Sequence, residues 1–249
     1  MKNLFILLVF IACARTPTPR PEKTLVFIQG FHLDEKSWDQ VVDRIPKDKF
    51  NVQTFGRLAR ETGSLKQIAT ETCDDLPTHS ILVAHSFGGA IANAMFGVCP
   101  DKILKIIYIS ALIPNNNERP FDRVKSKEDQ ANYSKAVSFA DKKMIPKQSN
   151  IFYQAMDSEV DMGMKDLPHV YEETMDLGSE KLSFEASEFE KLPKSFIITG
   201  KDPVVGLKTQ QLFISSAKIT EVDTIPTGHF PMISKPQLLS EIILKWANN

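Results

Sequence analysis

The stretch Ile81-Leu-Val-Ala-His-Ser-Phe-Gly-Gly-Ala90 decides how this chain is read. A short apolar run ends in a polar pair, and two glycines open the next apolar run. The pattern predicts a buried strand that turns sharply into a helix with Ser86 at the apex. Such a turn exposes the hydroxyl and aims the first N–H groups of the helix at whatever the hydroxyl attacks. Gly88 and Gly89 carry no side chain where helix and strand must approach closely. The pentapeptide is G-x-S-x-G with Ala84 in the first glycine position. Serine is also a favoured helix N-cap, so the motif acquires meaning only with partners.

A serine hydroxyl needs a base, and the base needs a carboxylate to orient it. Downstream, Ser195-Phe-Ile-Ile-Thr-Gly-Lys-Asp202-Pro reads as a strand followed by a turn that carries an aspartate. Further on, Ile219-Thr-Glu-Val-Asp-Thr-Ile-Pro-Thr-Gly-His229-Phe-Pro reads as a strand followed by a loop histidine. Ser86, Asp202 and His229 therefore occur in the order nucleophile, acid, base, each at the C-terminal end of an expected strand. Asp202 before Pro203 also suits an ordinary turn. Asp223 is a weaker rival for the acid because it falls inside the strand-like run. His85 should point away if Ser86 points in, His79 precedes its strand, and His169 lies in a less regular region. No two histidines have metal-ligand spacing, so no metal is expected.

Acyl transfer also needs fixed donors for the developing oxyanion. The N–H of Phe87, directly after the nucleophile, is one candidate. The other is the N–H of Phe31, in the loop after the strand Thr24-Leu-Val-Phe-Ile-Gln-Gly30-Phe31-His32. Gly30 permits the tight turn, and Gly30 and His32 are expected to line the substrate pocket.

With these residues in view, the chain resembles the α/β-hydrolases. More narrowly, it resembles bacterial esterases related to plant methylesterases and hydroxynitrile lyases. The stretches that carry the likeness are Gln29 to Trp38, Val83 to Gly89, Ile107 to Pro114, Gly200 to Asp202, Gly228-His229 and Ile233 to Pro236. The resemblance implies Ser86 as nucleophile, His229 as base, Asp202 as acid, and Phe31 and Phe87 as oxyanion donors, with no cofactor. Gln29 departs from the histidine of many relatives, and Ala84 from their glycine. The expected activity is cleavage of a small or medium carboxylic ester through an acyl-enzyme. The alternatives are a hydroxynitrile-lyase-like reaction, for which Lys201 is the one lysine near the acid, and a non-catalytic ligand-binding role.

The 249 residues are 42% hydrophobic and 24% charged with a formal net charge of −1, which suits one domain with a sizeable core. The near-neutral balance gives no electrostatic reason to expect nucleic-acid binding. Residues 1–14 read as an export signal: Met1-Lys2-Asn3 is positively charged, and Leu4 to Ala12 is apolar but too short to span a bilayer. Phe10-Ile-Ala-Cys13 resembles a bacterial lipobox, so Cys13 is a candidate for lipidation and membrane attachment in the cell envelope. Simple signal cleavage with secretion is the alternative. Residues 15–22 read as a proline-rich linker, and the resemblance implies a hydrolase domain over 23–249 with the cap inserted in it.

Six apolar runs, near 24–29, 51–55, 80–84, 103–109, 195–199 and 219–224, predict the strands of a mostly parallel α/β sheet. Helices are expected near 36–45, 64–76, 87–98, 205–216 and 236–247. The pattern breaks at about 115–192, which reads as a mainly helical cap inserted after the fourth strand. Its Phe152, Tyr153, Met156, Met162, Met164, Tyr171 and Met175 suit either a flexible apolar pocket or plain core packing. In this fold Cys73 and Cys99 end neighbouring helices. They are expected either to form a disulfide, plausible after export, or to be two small buried hydrophobes.

Overall fold

A computed structural model describes residues 22–57 and 63–249. Cys13, the export signal and most of the linker lie outside the described residues. The body is a six-stranded sheet of β1 (Thr24–Ile28), β2 (Asn51–Thr54), β3 (Ser80–His85), β4 (Ile103–Ile109), β8 (Lys194–Thr199) and β9 (Glu221–Ile225). Its strands are all parallel and lie in the order β2-β1-β3-β4-β8-β9. Every residue of β1 and β3 is buried, as expected of central strands covered on both faces. The edge strands β2 and β9 are largely half-exposed.

The body helices are α1 (Asp39–Val42), α2 (Leu65–Asp74), α3 (Gly88–Val98), α7 (Leu207–Ser216), α8 (Pro231–Ser234) and α9 (Pro236–Asn248). Helix α2 packs on α3, and α1 packs on α9. The single helix expected at 36–45 is split into a tight 3-10 turn over Glu35–Trp38 and the short α1. Asp34 explains the tightening: its carbonyl accepts from both the N–H and the hydroxyl of Ser37, and its carboxylate caps Lys36 N–H. Trp38 is thereby driven into the core against Phe27.

The cap follows β4 and contains α4 (Lys127–Ala136), α5 (Ser149–Met156) and α6 (Ala186–Lys191). It also holds a small antiparallel sheet of β5 (Val137–Ala140), β6 (Lys143–Pro146) and β7 (Glu173–Thr174), which the sequence pattern does not announce. Phe152, Tyr153 and Met156 of α5 are buried, whereas Met162 and Met164 pack on the core only in part.

Cys73 and Cys99 are joined by a disulfide, S–S 1.97 Å, which ties the end of α2 to the end of α3. The order of the strands reverses between β1 and β3. At such a switch point the loops after two adjacent strands splay to opposite sides and leave a crevice at their C-terminal ends. The loops that carry Phe31 and Ser86 flank that crevice.

Candidate active site

Ser86 sits between β3 and α3 with φ of 53°, a left-handed conformation rare for a residue with a Cβ. Its backbone is held on both sides, with Ser86 N–H donating to Ile109 O and Ser86 O accepting from Gly89 and Leu112 N–H. The helix can start this close to the sheet only because Gly88 is bare: a Cβ there would lie 2.5 Å from Ile28 O. Gly30 abuts Ser86 in the same way, since a Cβ on it would lie 2.7 Å from Ser86 Cβ. Gly30 was expected on the pocket wall. It lies instead against Ser86, where its bareness lets the two loops meet.

His229 bridges the other two predicted residues. Its Nε2 is 3.0 Å from Ser86 Oγ and its Nδ1 is 2.6 Å from Asp202 Oδ2. A carboxylate only accepts, so Nδ1 carries the proton and Nε2 turns its lone pair to the serine hydroxyl. Asp202 is buried and saturated: Oδ2 also accepts from Thr199 Oγ1 (2.9 Å) and Ser110 Oγ, and Oδ1 accepts from Val204 and Val205 N–H, both 2.9 Å. Burial by itself raises the Asp202 pKa, but the His229 charge and hydrogen bond, Ser110 and the Val205 N–H hold it below the ordinary value. The rival Asp223 sits within β9 and pairs with Lys245.

The histidine loop is clamped by a residue that the sequence pattern did not single out. Asp157, at the end of α5, accepts through Oδ2 from Phe230 N–H (3.2 Å), Thr227 Oγ1 (3.1 Å) and Ser234 Oγ (2.8 Å). Met156 O accepts from His229 N–H at 3.0 Å. Ser110 was also missed. It belongs to the stretch Ile107 to Pro114 already matched, but only its distance to Asp202 exposes its part.

His85 does not line the pocket, yet it does not point away from the site either. Its ring lies 4.7 Å from that of His229, and its Nε2 donates to His229 O at 2.7 Å. Strand alternation fails as a guide here because the positive φ at Ser86 breaks it. Burial and the neighbouring His229 push the His85 pKa well below the usual imidazole value, so the ring is neutral.

A cavity of about 410 Å³ opens on Ser86 and His229. Phe31, Phe87 and Leu112 of the body and Phe121, Met156 and Met175 of the cap are among its walls, and His32 lines it too. The rings of Phe31 and Phe87 stack at 3.8 Å. Neither backbone N–H of these two residues has a protein acceptor among the described residues, which leaves two free donors in the loops that flank Ser86. Gln29 spans from the end of β1 to Phe55 O and Gly56 O. Lys201 is exposed, pairs with Glu159, and is not a wall of the cavity. Among the described residues no group of three or more His, Cys, Asp or Glu is arranged to hold a metal ion.

The profile of the Alpha/beta hydrolase family matches residues 26–242. The chain is 27% identical over 200 residues to Methylesterase 3 of Arabidopsis thaliana, covering 74% of each protein. To Methylesterase 7 of the same plant it is 26% identical over 188 residues, covering 68% of this chain and 69% of that protein. Among solved structures, a pyrethroid hydrolase from Sphingobium faniae JZ-2 superposes with a TM-score of 0.79 at 18% identity, covering 91% of this chain and 98% of that one. Polyneuridine aldehyde esterase superposes with a TM-score of 0.72 at 17% identity, covering 90% and 98%.

Proposed function

The chain belongs to the alpha/beta hydrolase family, and from that premise we propose that it is a carboxylic-ester hydrolase working through Ser86, His229 and Asp202. The observation that carries the reading is the bridge made by His229, 3.0 Å from the hydroxyl and 2.6 Å from the carboxylate. His229 Nε2 takes the Ser86 proton as Oγ attacks the ester carbonyl, and Asp202 stays ionised and stabilises the imidazolium. The oxyanion accepts from Phe31 and Phe87 N–H. The imidazolium then protonates the departing alcohol, and a water activated by the same imidazole releases the acid.

The cavity walls favour an uncharged ester with an apolar acyl or alcohol group. A buried carboxylate, Asp129, also lines the cavity and disfavours anionic substrates. The methylesterase relatives make methyl esters the first panel to try. A lysine-assisted lyase reaction loses its candidate, because Lys201 turns to Glu159 instead of the cavity.

The test is Ser86→Ala. Turnover of a short-chain p-nitrophenyl ester and labelling by a fluorophosphonate should both disappear while the thermal midpoint stays near that of the wild type. Wild-type turnover in the folded variant would overturn the assignment. The same reading includes export and a lipid on Cys13, supported by the Cys73–Cys99 disulfide, a bond suited to oxidising compartments. Cys13→Ala should then move the protein from the membrane to the soluble fraction.

A further inference from the structure

We propose that His32 is a positioning residue that fastens the oxyanion loop to the cap, with Tyr133 as the cap group that completes the fastening. The proposal rests on the hydrolase reading above, in which the Phe31 N–H is an oxyanion donor.

His32 is fully buried and has φ of 70°, a conformation disfavoured for any residue with a Cβ. It follows Phe31 directly, so whatever fixes His32 also fixes one end of the Phe31 residue. Four of its polar atoms reach into the cap. The His32 N–H donates to Glu173 Oε1 at 3.0 Å, and its carbonyl accepts from Tyr171 N–H at 2.9 Å. Its Nδ1 lies 2.8 Å from Tyr171 O and its Nε2 lies 2.5 Å from Tyr133 Oη.

The directions of the two ring bonds follow from chemistry. A carbonyl only accepts, so Nδ1 carries the proton, and in the neutral ring Nε2 is then an acceptor. Tyr133 must therefore donate. Burial and the nearby Glu173 charge push its phenol well above the ordinary tyrosine range, so the donor proton is retained. The backbone anchor is equally firm. Glu173 is buried in β7, and Arg57 Nη1 at 2.7 Å balances its charge.

Three separate parts of the cap thus converge on one residue of the body: α4 through Tyr133, the segment before β7 through Tyr171, and β7 itself. On the other side of Phe31, Gly30 is wedged against Ser86. The Phe31 peptide is held between the nucleophile and the cap, so the aim of its N–H depends on the cap's seating. Tyr133 also lines the cavity, which puts this joint at the edge of the same cavity as Ser86.

The experiment uses Tyr133→Phe, which keeps the ring and removes one hydrogen bond, and His32→Asn, which keeps a donor for Tyr171 O but offers Tyr133 no ring acceptor. Each should lower kcat about tenfold, less than the 10²–10³-fold cost of deleting an oxyanion donor outright, with KM unchanged within about twofold. Affinity for a boronic acid, whose adduct on Ser86 Oγ places an oxygen at the oxyanion position, should fall by the same factor as kcat. Affinity for the carboxylic acid product should not. The double variant should be no worse than the poorer single one, because both remove the same bond.

A lower thermal midpoint with wild-type kcat and boronate affinity would reduce the joint to a structural contact and overturn the proposal. So would losses that multiply in the double variant. If the wild-type protein neither turns over an ester nor reacts with a fluorophosphonate, the underlying hydrolase reading fails first, and this proposal goes with it.

Discussion

Nδ1 of His229 lies 2.6 Å from Oδ2 of Asp202, and that one oxygen also receives the hydroxyls of Thr199 and Ser110. The carboxylate is thus built to stay charged in a buried place. Replacing it by asparagine would turn an amide donor toward groups that also donate, or reverse the imidazole tautomer. Asp202→Asn is expected to lower kcat by about 10³–10⁴-fold, read from steady-state kinetics on the folded variant.

The same carboxyl makes a prediction about acid. Its pKa in the folded protein lies below the ordinary 3.8, since the His229 charge and the surrounding donors outweigh the opposing effect of burial. A depressed carboxylate pKa contributes stability that is complete above the unfolded value and is lost as pH falls through the folded one. The stability that wild type gains over Asp202→Asn from this carboxylate should therefore be complete at about pH 5 and shrink below about pH 4. Urea unfolding between about pH 5 and pH 3 checks it, and an advantage that grows below about pH 4 would contradict the sign.

Asp157 holds the histidine loop from the cap side. Asp157→Ala leaves the Phe230 N–H and the Thr227 hydroxyl, both on buried residues, without this acceptor, at a cost of about 1–3 kcal/mol for such groups. Since His229 is the neighbour of Phe230, kcat should fall by about 10–100-fold, the cost of a misaimed base, with KM nearly unchanged. Asp157→Asn keeps one acceptor oxygen and should recover part of both losses. Equal kcat in all three proteins would show that the loop positions His229 without this residue.

The body of the fold was legible because its signals are local. Apolar runs such as Thr24 to Ile28 and Ile103 to Ile109 are long, unbroken and bounded by turn residues, and the strands fall where those runs lie. Ser86, Asp202 and His229 were legible because each ends such a run. The small cap sheet was not, since Val137–Ala140 is four residues with an exposed Phe139, too short for alternation to register. Asp157 and Ser110 were illegible for another reason. An aspartate or serine acquires its part only from what folds against it, and their partners lie 70 to 92 residues away.

The disulfide gives a redox prediction. Cys73–Cys99 closes a loop with a sequence separation of 26 residues, for which about 2–4 kcal/mol of stabilisation is typical. Reduction, or the double change Cys73→Ala with Cys99→Ala, should lower the thermal midpoint by roughly 5–15 °C. The bond joins the far ends of α2 and α3, away from Ser86 at the start of α3, so ester turnover at room temperature should persist. An unchanged midpoint after reduction, with free thiols confirmed by mass spectrometry, would show that the cross-link contributes nothing to stability.

Gly88 makes the last prediction, because what surrounds it cannot yield cheaply. A Cβ at this position would lie 2.5 Å from Ile28 O and 3.1 Å from Gln29 O, both backbone atoms of the chain that leads into Gly30 and Phe31. A flexible side chain would swing aside, but here either α3 must lift from the sheet or the end of β1 must shift. Both movements change the distance between the Phe31 and Phe87 N–H groups and Ser86 Oγ. Gly88→Ala is expected to cost about 1–3 kcal/mol of stability, as overpacking of a tight core does. It should also lower kcat by about tenfold or more as the oxyanion donors lose their aim. Denaturant unfolding and kinetics on the same preparation separate the two effects. A variant with reduced stability and full kcat would show that the β1 loop and the start of α3 move as one body, which the contact at Gly88 argues against.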